Sequence, residues 1–362
     1  MPRVDPGFPA AATCTTVEQV ATPARLSKLR QTPPRVTLLI PAYQAGAFAH
    51  QAVACALGQT YPEIEVIVSP DDGDAYRHLR ERFESPRLRI LAPGAFERSG
   101  AGAARNRAID ASTGDFFTML DADDLIPLDY VERLMRIALV DGAAVAPLHY
   151  VDWHARHTLR VPPLPGDRIT LDDFARTLGS MHPLIHRSLE CGYRAGFAED
   201  VLHDGEIVAR LGAVRVVAEA PYRARVRYGS ECHRSPGTEQ RIHATYSQYA
   251  QDIEHHPTRL GLHSLSRAGR ASFAALFRFR AMVSAAFARS AAPEYNAWVA
   301  GHEAMLHEQF EADFGFDDDA CAAAALPARA SALERHTPFA SRAMTTNRPT
   351  AFSGAAGASM GC

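Results

Sequence analysis

The sequence lacks several features that mark common classes of protein. Its 362 residues carry a formal net charge of only −3, so the chain as a whole has no basic field that would attract nucleic acid. No apolar run approaches the roughly 18 to 20 residues that a membrane-spanning helix needs. We therefore expect no nucleic-acid partner and no membrane span.

Paired cysteines and a secretory signal are also missing. The six cysteines include no C-x-x-C pair, which argues against a zinc ribbon or a dithiol redox centre and suits reduced thiols. The first residues, MPRVDPGFPAAATC, place an Asp and prolines where a signal peptide would have an apolar stretch. These observations predict a cytoplasmic protein.

Apolar patterning divides the chain into four predicted parts. Residues 1–34 and 337–362 have no apolar period, which predicts a disordered N-terminal arm and a disordered tail. Residues 35–237 alternate short apolar runs with helical patterns, and residues 238–336 combine helical apolar spacing with a high alanine content. We expect a catalytic domain followed by a helical C-terminal region.

Four apolar runs have the length and composition of buried strands. They are RVTLLI (35–40), EIEVIVS (63–69), RLRIL (87–91) and DFFTML (115–120). Helical patterns accompany them at 46–58, 74–84, 100–113 and 127–140. This alternation predicts an α/β fold, a mostly parallel sheet covered by helices on both faces, with ligands at the carboxyl ends of the strands.

Carboxylates cluster where the fourth predicted strand ends. In MLDADD, Asp121 and Asp123 are two residues apart and can point the same way across Ala122. Two carboxylates this close stay ionised at neutral pH when they share a hard cation such as Mn²⁺ or Mg²⁺. The alternative is an acidic turn in which Asp124 or Asp129 favours the positive N-terminus of the next helix.

The order of these pieces resembles the family 2 glycosyltransferases, which have the GT-A fold and transfer a sugar from a nucleotide-sugar donor. The resemblance rests on TLLIPAYQA (37–45), ALGQTYPEIEVIVSPDDGD (56–74), GAGAARNRAI (100–109), FFTMLDADD (116–124), GFAED (196–200) and PYRARVRYGS (221–230). It implies a metal-dependent, inverting glycosyltransferase of polysaccharide biosynthesis, with a GT-A domain over residues 35–237.

The resemblance places donor-binding residues at the ends of the first two strands. Pro41 should end the first strand, and Tyr43 should present an aromatic face on which a base stacks. The family usually has Asn where this chain has Gln44. One of Asp71 and Asp72 should accept from the base edge, with Asp71 preferred.

Phosphate contacts are expected from arginines. Arg105 offers a planar fork suited to phosphate, and the alternative for this residue is a surface salt bridge. The glycines before it do not form a dinucleotide fingerprint, because they follow the third strand rather than the first. By resemblance Asp121 and Ala122 contact the donor. Arg225 and Arg227 contact the diphosphate or the acceptor, unless they form a solvated basic strand edge.

An inverting transfer needs a base for the acceptor hydroxyl and a means of stabilising the departing diphosphate. Asp200 matches the family's catalytic carboxylate, but Asp204 stands at the family's usual spacing before the Arg-Leu pair. Either could be the base, and both could be ordinary acids at a helix start. His233 is a further candidate for the metal shell.

The implied donor is a UDP or dTDP sugar, and the implied acceptor is a glycan or a lipid-linked sugar. Six arginines and no acid lie between Pro257 and Pro293. This segment could rest on the inner face of a membrane, or its helices could pack on the catalytic domain or a second subunit.

Two other functions stay open, a non-catalytic nucleotide-sugar or glycan binder of the same fold and a nucleotidyltransferase. The second would need a Gly-rich loop with a nearby Lys after the first strand.

Overall fold

The structure is a computed structural model that describes residues 33–93, 98–164, 166–227, 238–290, 292 and 294–314. Its strands are β1 Val36–Ala42, β2 Ile64–Pro70, β3 Leu88–Ile90, β4 Phe116–Met119, β5 Ala143–Ala144, β6 Leu148–Val151, β7 Thr158–Arg160, β8 Arg168–Ile169, β9 Leu184–His186, β10 Val214–Arg215 and β11 Tyr222–Arg225. Its α-helices are α1 Ala49–Leu57, α2 Arg77–Phe83, α3 Ala101–Ala111, α4 Tyr130–Asp141, α5 Leu171–Thr177, α6 Glu199–Leu211, α7 Thr238–His255, α8 Arg267–Arg289 and α9 Tyr295–Phe314.

A six-stranded sheet in the order β3-β2-β1-β4-β9-β5 forms the centre of the molecule. Strands β3, β2, β1 and β4 run parallel, and β9 pairs antiparallel with both β4 and β5. Strands β1 to β4 and helices α1 to α4 are the predicted elements, each within three residues of its predicted bounds. The predicted mostly parallel α/β sheet is confirmed.

Both faces of this sheet are buried. Successive residues of each strand point to opposite faces, so neighbouring residues of one strand belong to different apolar clusters. Leu38 and Ile40 belong to one apolar cluster, which includes residues of α1 and α4. Leu39 belongs to a second cluster, which includes residues of α3, α6 and α8. The sheet is therefore covered by helices on each side, as predicted.

The prediction that Pro41 ends the first strand is wrong. Strand β1 continues through Pro41 to Ala42, where it pairs with Ser69 and Pro70 of β2. The pairing of β1 with β4 has already stopped at Leu39. Proline fits here because at this end β1 has a strand neighbour on one side only, so its missing N–H breaks no ladder.

A smaller sheet of β11, β6 and β7 lies beside the acidic turn. Strand β11 runs parallel to β6, which pairs antiparallel with β7. The backbones of Arg223 and Leu125 exchange two hydrogen bonds, of 2.9 and 3.1 Å. The small sheet is thereby joined to the residues that follow the carboxylate cluster.

The C-terminal helices pack into the core of the described unit. Phe273 of α8 is fully buried, and a Cβ added at Gly205 of α6 would lie only 2.3 Å from its ring. Arg280 is 3% exposed and donates to the carbonyls of Phe174 and Gly179. Four of the six arginines between Pro257 and Pro293 have acceptors within the described chain: Arg259, Arg270, Arg278 and Arg280. These contacts favour packing on the preceding α/β part of the chain, the predicted catalytic domain.

Helix α8 is also long and apolar enough to cross a membrane by length and composition. However, 67% of its apolar window is buried inside the protein itself, as in the core helix of a folded domain. The expectation of no membrane span therefore stays a prediction, and the structure gives the apolar face of this helix a partner within the chain.

Candidate active site

The acidic cluster forms a tight turn after β4. The N–H of Asp124 donates to the carbonyl of Asp121 at 3.0 Å. The hydroxyl of Tyr222, on β11, accepts from the N–H of Asp121 at 3.0 Å and donates to Asp124 Oδ2 at 2.9 Å. A single buried tyrosine thus holds both ends of the turn, and this role had no signal in the sequence.

Asp121 lies between the side chains of Arg105 and His182. Arg105 Nη2 donates to its Oδ1 at 2.9 Å, and His182 Nε2 lies 3.6 Å from its Oδ2. Burial alone would raise the pKa of Asp121, but the charges of Arg105 and His182 outweigh it and hold this pKa below its usual value. Asp121 is therefore ionised at neutral pH.

Asp124 occupies a different environment. It is buried, and its Oδ1 accepts from the N–H of Arg225 at 2.8 Å. Burial, followed by the charges of Asp123 and Asp121, raises the pKa of Asp124 well above its usual value. A cation placed at this turn would favour its ionised form.

The described residues contain one group with metal-binding spacing at this turn. Ligand atoms of Asp121, Asp124 and His182 lie within 4.8 Å of one another. Asp123 instead accepts from Arg227 Nε at 2.7 Å. Metal binding by Asp121 and Asp123 stays a prediction. The sequence showed no sign of His182, because a lone histidine 61 positions from Asp121 has no recognisable spacing.

Arg105 is 4% exposed, so the alternative of a surface salt bridge is excluded. Its guanidinium bridges Asp121 to Glu199, and its charge lies 5.3 Å from the ring centre of Tyr193. Burial raises the pKa of Glu199 to about 7, and Asp200 adds to this rise while Arg105 opposes it. Arg105 thus connects the acidic turn to the start of α6.

The two candidate bases differ in exposure. Asp200 is partly exposed in the first turn of α6, and its Oδ1 accepts from the N–H of Val201. Asp204, one turn later, is 1% exposed and accepts from the N–H of Met181 at 2.8 Å. Only Asp200 has solvent access from which an acceptor could approach, although the identity of the base stays a prediction.

The candidate donor residues gather at the ends of β1 and β2. Tyr43 is 40% exposed, with Arg98 6.0 Å from its ring centre. Asp71 is buried and accepts from the N–H of Gly100 at 2.9 Å and from Arg107 at 2.8 Å. Asp72 is less buried and accepts from the Tyr76 hydroxyl at 2.8 Å.

Arg225 and Arg227 converge on Asp123. Arg225 Nε donates to its carbonyl, and Arg227 Nε donates to its carboxylate. Ala122, which separates Asp121 from Asp123 in the sequence, is buried. His233 lies outside the residues that the structure describes.

A family model for glycosyl transferase family 2 matches residues 37–202. The putative glycosyltransferase EpsH of Bacillus subtilis is 31% identical over 113 residues, which are 29% of this chain and 30% of that protein. The succinoglycan biosynthesis protein ExoO of Rhizobium meliloti is 34% identical over 115 residues, 31% of this chain and 32% of that protein. The matches to these relatives thus span about a third of their length.

Solved structures share the fold at low sequence identity. S. aureus TarS 1-349 superposes with a TM-score of 0.52 and 18% identity, covering 77% of this chain and 82% of that one. Its complex with UDP-GlcNAc gives a TM-score of 0.51 and 19% identity, covering 68% and 72%. The GT-A type fold is confirmed, and the match of residues 37–202 confirms the resemblance to glycosyl transferase family 2.

Proposed function

We propose that the chain is an inverting glycosyltransferase that moves a sugar from a nucleotide-diphosphate donor to an acceptor hydroxyl. One observation carries the proposal. Arg105 joins Asp121, at the carboxyl end of β4, to Glu199, which is next to Asp200 at the start of α6. Asp121, which is predicted to contact the donor, and Asp200, the predicted base, thereby lie near the same edge of the sheet, where α/β folds bind ligands.

The nucleotide would bind at the ends of β1 and β2. The exposed ring of Tyr43 can stack on a base, while Pro41 and Ala42 form the adjoining strand end. The carboxylates of Asp71 and Asp72 each have three internal donors, but Asp72 is more exposed than Asp71 and is therefore the better placed to accept from a base edge. The UDP and UDP-GlcNAc named for TarS complexes support a UDP sugar here.

Asp200 would act as the base. Its carboxylate takes the proton of the acceptor hydroxyl while that oxygen attacks the anomeric carbon and the bond to the diphosphate breaks. Attack from the face opposite the leaving group inverts the anomeric configuration. Asp204 is the weaker candidate, because its backbone hydrogen bond and full burial suit a structural role.

The acidic turn would hold the predicted Mn²⁺ or Mg²⁺. Asp121 and Asp124 offer oxygen ligands and His182 offers a nitrogen, a donor set that fits Mn²⁺ better than Mg²⁺, which prefers oxygen ligands and water. Asp123 can join only if its ion pair with Arg227 opens. When bound, such an ion neutralises charge on the leaving diphosphate.

The acceptor would be a glycan or a lipid-linked sugar. Relatives named for succinoglycan and teichuronic acid biosynthesis support a role in polysaccharide synthesis. A cytoplasmic location, with contact at the inner face of a membrane, is consistent with such a role and is part of the proposal.

The test measures binding and hydrolysis of a panel of nucleotide sugars by the full chain, with and without Mn²⁺. Asp121→Ala should lose metal-dependent binding, and Asp200→Asn should keep binding but lose turnover. Asp204→Asn is the matched comparison for the base. Absence of binding of any nucleotide sugar would reject the enzyme and leave the alternative of a glycan-binding protein.

A further inference from the structure

Aromatic and guanidinium groups alternate beside the acidic turn. We call Phe48, Trp153, Arg225 and Arg227 the aromatic ledge. Arg225 lies 4.4 Å from the ring centre of Trp153, and Arg227 lies 5.1 Å from that of Phe48. The two rings meet edge to face, 5.4 Å apart at 86°. The ledge therefore brings residues of three distant segments into one cluster that adjoins Asp123.

The turn between β6 and β7 sets the position of Trp153. The N–H of Ala155 donates to the carbonyl of Asp152 at 2.8 Å, and that of Arg156 donates to its carboxylate at 2.7 Å. Ala155 has φ of 54°, in the left-handed region that is uncommon for a residue with a side chain. A constrained turn thus holds a partly exposed indole at the ledge.

The ledge retains unused hydrogen-bonding capacity. Arg225 is 8% exposed, with Nε donating to Asp123 and Nη1 to Gln51. Among the described residues its buried Nη2 has no hydrogen-bond partner. A buried guanidinium nitrogen without a partner is costly, and a ligand oxygen would satisfy it.

Arginines outnumber acids in the segments that build the ledge, beyond the acidic turn itself. Residues 148–160, which form β6, β7 and their turn, contain one acid, Asp152, and two arginines. Arg223 of β11 is exposed, and Arg227, two residues after that strand, keeps 30% of its side chain exposed despite its pairing with Asp123. Guanidinium groups bind carboxylate and phosphate through paired hydrogen bonds.

We propose that the aromatic ledge is the acceptor subsite, and that it takes a sugar ring bearing a negative charge, either a carboxylate or a phosphate. The proposal rests on the proposed transferase function and names the class of its acceptor. The indole of Trp153 packs against the apolar face of the sugar, and Arg227, with the spare Nη2 of Arg225, binds the anionic group.

The position of the ledge fits the acceptor rather than the donor. Residues suited to the nucleotide lie at the ends of β1 and β2, whereas the ledge is built from β11 and the β6–β7 turn, with Phe48 before α1. The ledge adjoins the acidic turn through Asp123. A sugar on the ledge would thus adjoin the predicted position of the transferred group.

Tryptophan fluorescence gives a direct test, because the chain has only Trp153 and Trp298. Trp298 is 9% exposed and stacks on His302 in α9, at 4.7 Å. In a Trp298→Phe variant the emission reports on Trp153 alone. The probes are a tetrasaccharide of alternating glucuronate and N-acetylglucosamine, glucose 6-phosphate, and neutral chitotetraose, each with UDP present.

We expect a saturable change in Trp153 emission with at least one charged probe, at least tenfold weaker binding of chitotetraose, and a similar loss for the charged probe in Arg227→Gln. Arg223→Gln, on the same strand but outside the ledge, should bind normally. Comparison of the two charged probes separates carboxylate from phosphate recognition. In transfer assays Trp153→Ala should raise the KM for the acceptor more than the KM for the donor, and Trp153→Phe should restore part of the loss.

Either of two results would overturn the proposal. One is unchanged emission with both charged probes at concentrations up to about 10 mM. A probe at that concentration would nearly saturate a site with a dissociation constant of about 1 mM. The other is equal binding of the neutral probe. Binding of UDP is measured on the same sample, so its failure would count against the transferase, whereas normal UDP binding without a saccharide response would reject only the ledge.

Discussion

Arg105 Nη2 lies 2.9 Å from Asp121 Oδ1, joining helix α3 to the end of strand β4 across the edge of the sheet. The same guanidinium also donates to the buried Glu199. Because two carboxylates depend on one buried cation, its loss affects both the fold and the site.

Removal of this cation should destabilise the protein strongly. Arg105→Ala takes the cation away from both the buried Glu199 and the partly exposed Asp121, and we expect the free energy of unfolding to fall by about 3 to 5 kcal/mol. Arg105→Lys should lose less stability than Arg105→Ala, because it keeps the positive charge. It should still be less stable than the native protein, because one ammonium cannot reproduce the planar fork that serves both acids. Urea unfolding of the three proteins measures the difference, and equal stability of all three would contradict it.

The two candidate bases should separate stability from catalysis. Asp200→Asn should lower turnover about 10²- to 10⁴-fold, the usual contribution of a general base, and leave the unfolding free energy nearly unchanged. Asp204→Asn should instead cost about 2 kcal/mol of stability, because a buried acceptor of the Met181 N–H is weakened. Turnover and urea unfolding are measured on both variants, and the opposite pattern would assign the base to Asp204.

A buried histidine should make stability depend on pH. Burial alone would lower the pKa of His203, but Glu190 and Asp204 outweigh burial and raise it to about 9. A raised pKa in the folded state adds stability that is complete below the unfolded pKa of about 6.5. This stability is lost as the pH rises from there through about 9.

The corresponding loss should be visible in urea unfolding at pH 6.5 and pH 9. Between these two pH values the free energy of unfolding of the native chain should fall by up to about 3 kcal/mol more than that of His203→Gln, given 1.36 kcal/mol for each pKa unit. The imidazole of His203 stacks on the ring of Tyr193 at 4.2 Å, and a glutamine side chain would lose this stacking. The His203→Gln variant should therefore be less stable than the native chain at pH 6.5. Parallel pH curves for the two proteins would exclude this role of His203.

Close packing between α6 and α8 should make Gly205 intolerant of a side chain. Its Cβ would lie 2.3 Å from the ring of Phe273, and we expect Gly205→Ala to cost about 1 to 3 kcal/mol through overpacking. Gly301→Ala is the matched control, since nothing lies within 4 Å of a Cβ there. The control should gain about 0.5 to 1 kcal/mol, because alanine favours a helix interior. A neutral Gly205→Ala would show that the two helices can move apart.

The local elements of this protein could be predicted because each leaves a short-range pattern. Strands β1 to β4 are apolar runs, helices α1 to α4 carry apolar residues at helical spacing, and the acidic turn is visible as three carboxylates in four residues. Arg105, Asp121 and Asp200 were recognised because they stand inside motifs of the family. Glu199 also stands inside one of these motifs, GFAED, but no role was assigned to it.

The partners of these residues could not be predicted, because they are distant in the sequence and only packing brings them together. His182 reaches Asp121 across 61 positions, Glu199 meets Arg105 across 94, and Trp153 meets Arg225 across 72. No periodicity or spacing encodes such pairs. The burial of Asp204 and the pairing of Asp123 with Arg227 likewise depend on how α6 and β11 dock.

The amino-acid sequence by itself thus determined the α/β class, the order of strands β1 to β4 and helices α1 to α4, the acidic turn and the resemblance to glycosyl transferase family 2, since these depend on local propensity and short motifs. Only the tertiary structure decided which carboxylates are buried, which guanidinium neutralises each of them, and that an indole adjoins the site. Those outcomes depend on the dielectric environment and on the distances between segments, and both arise only when the sheet and its helices pack.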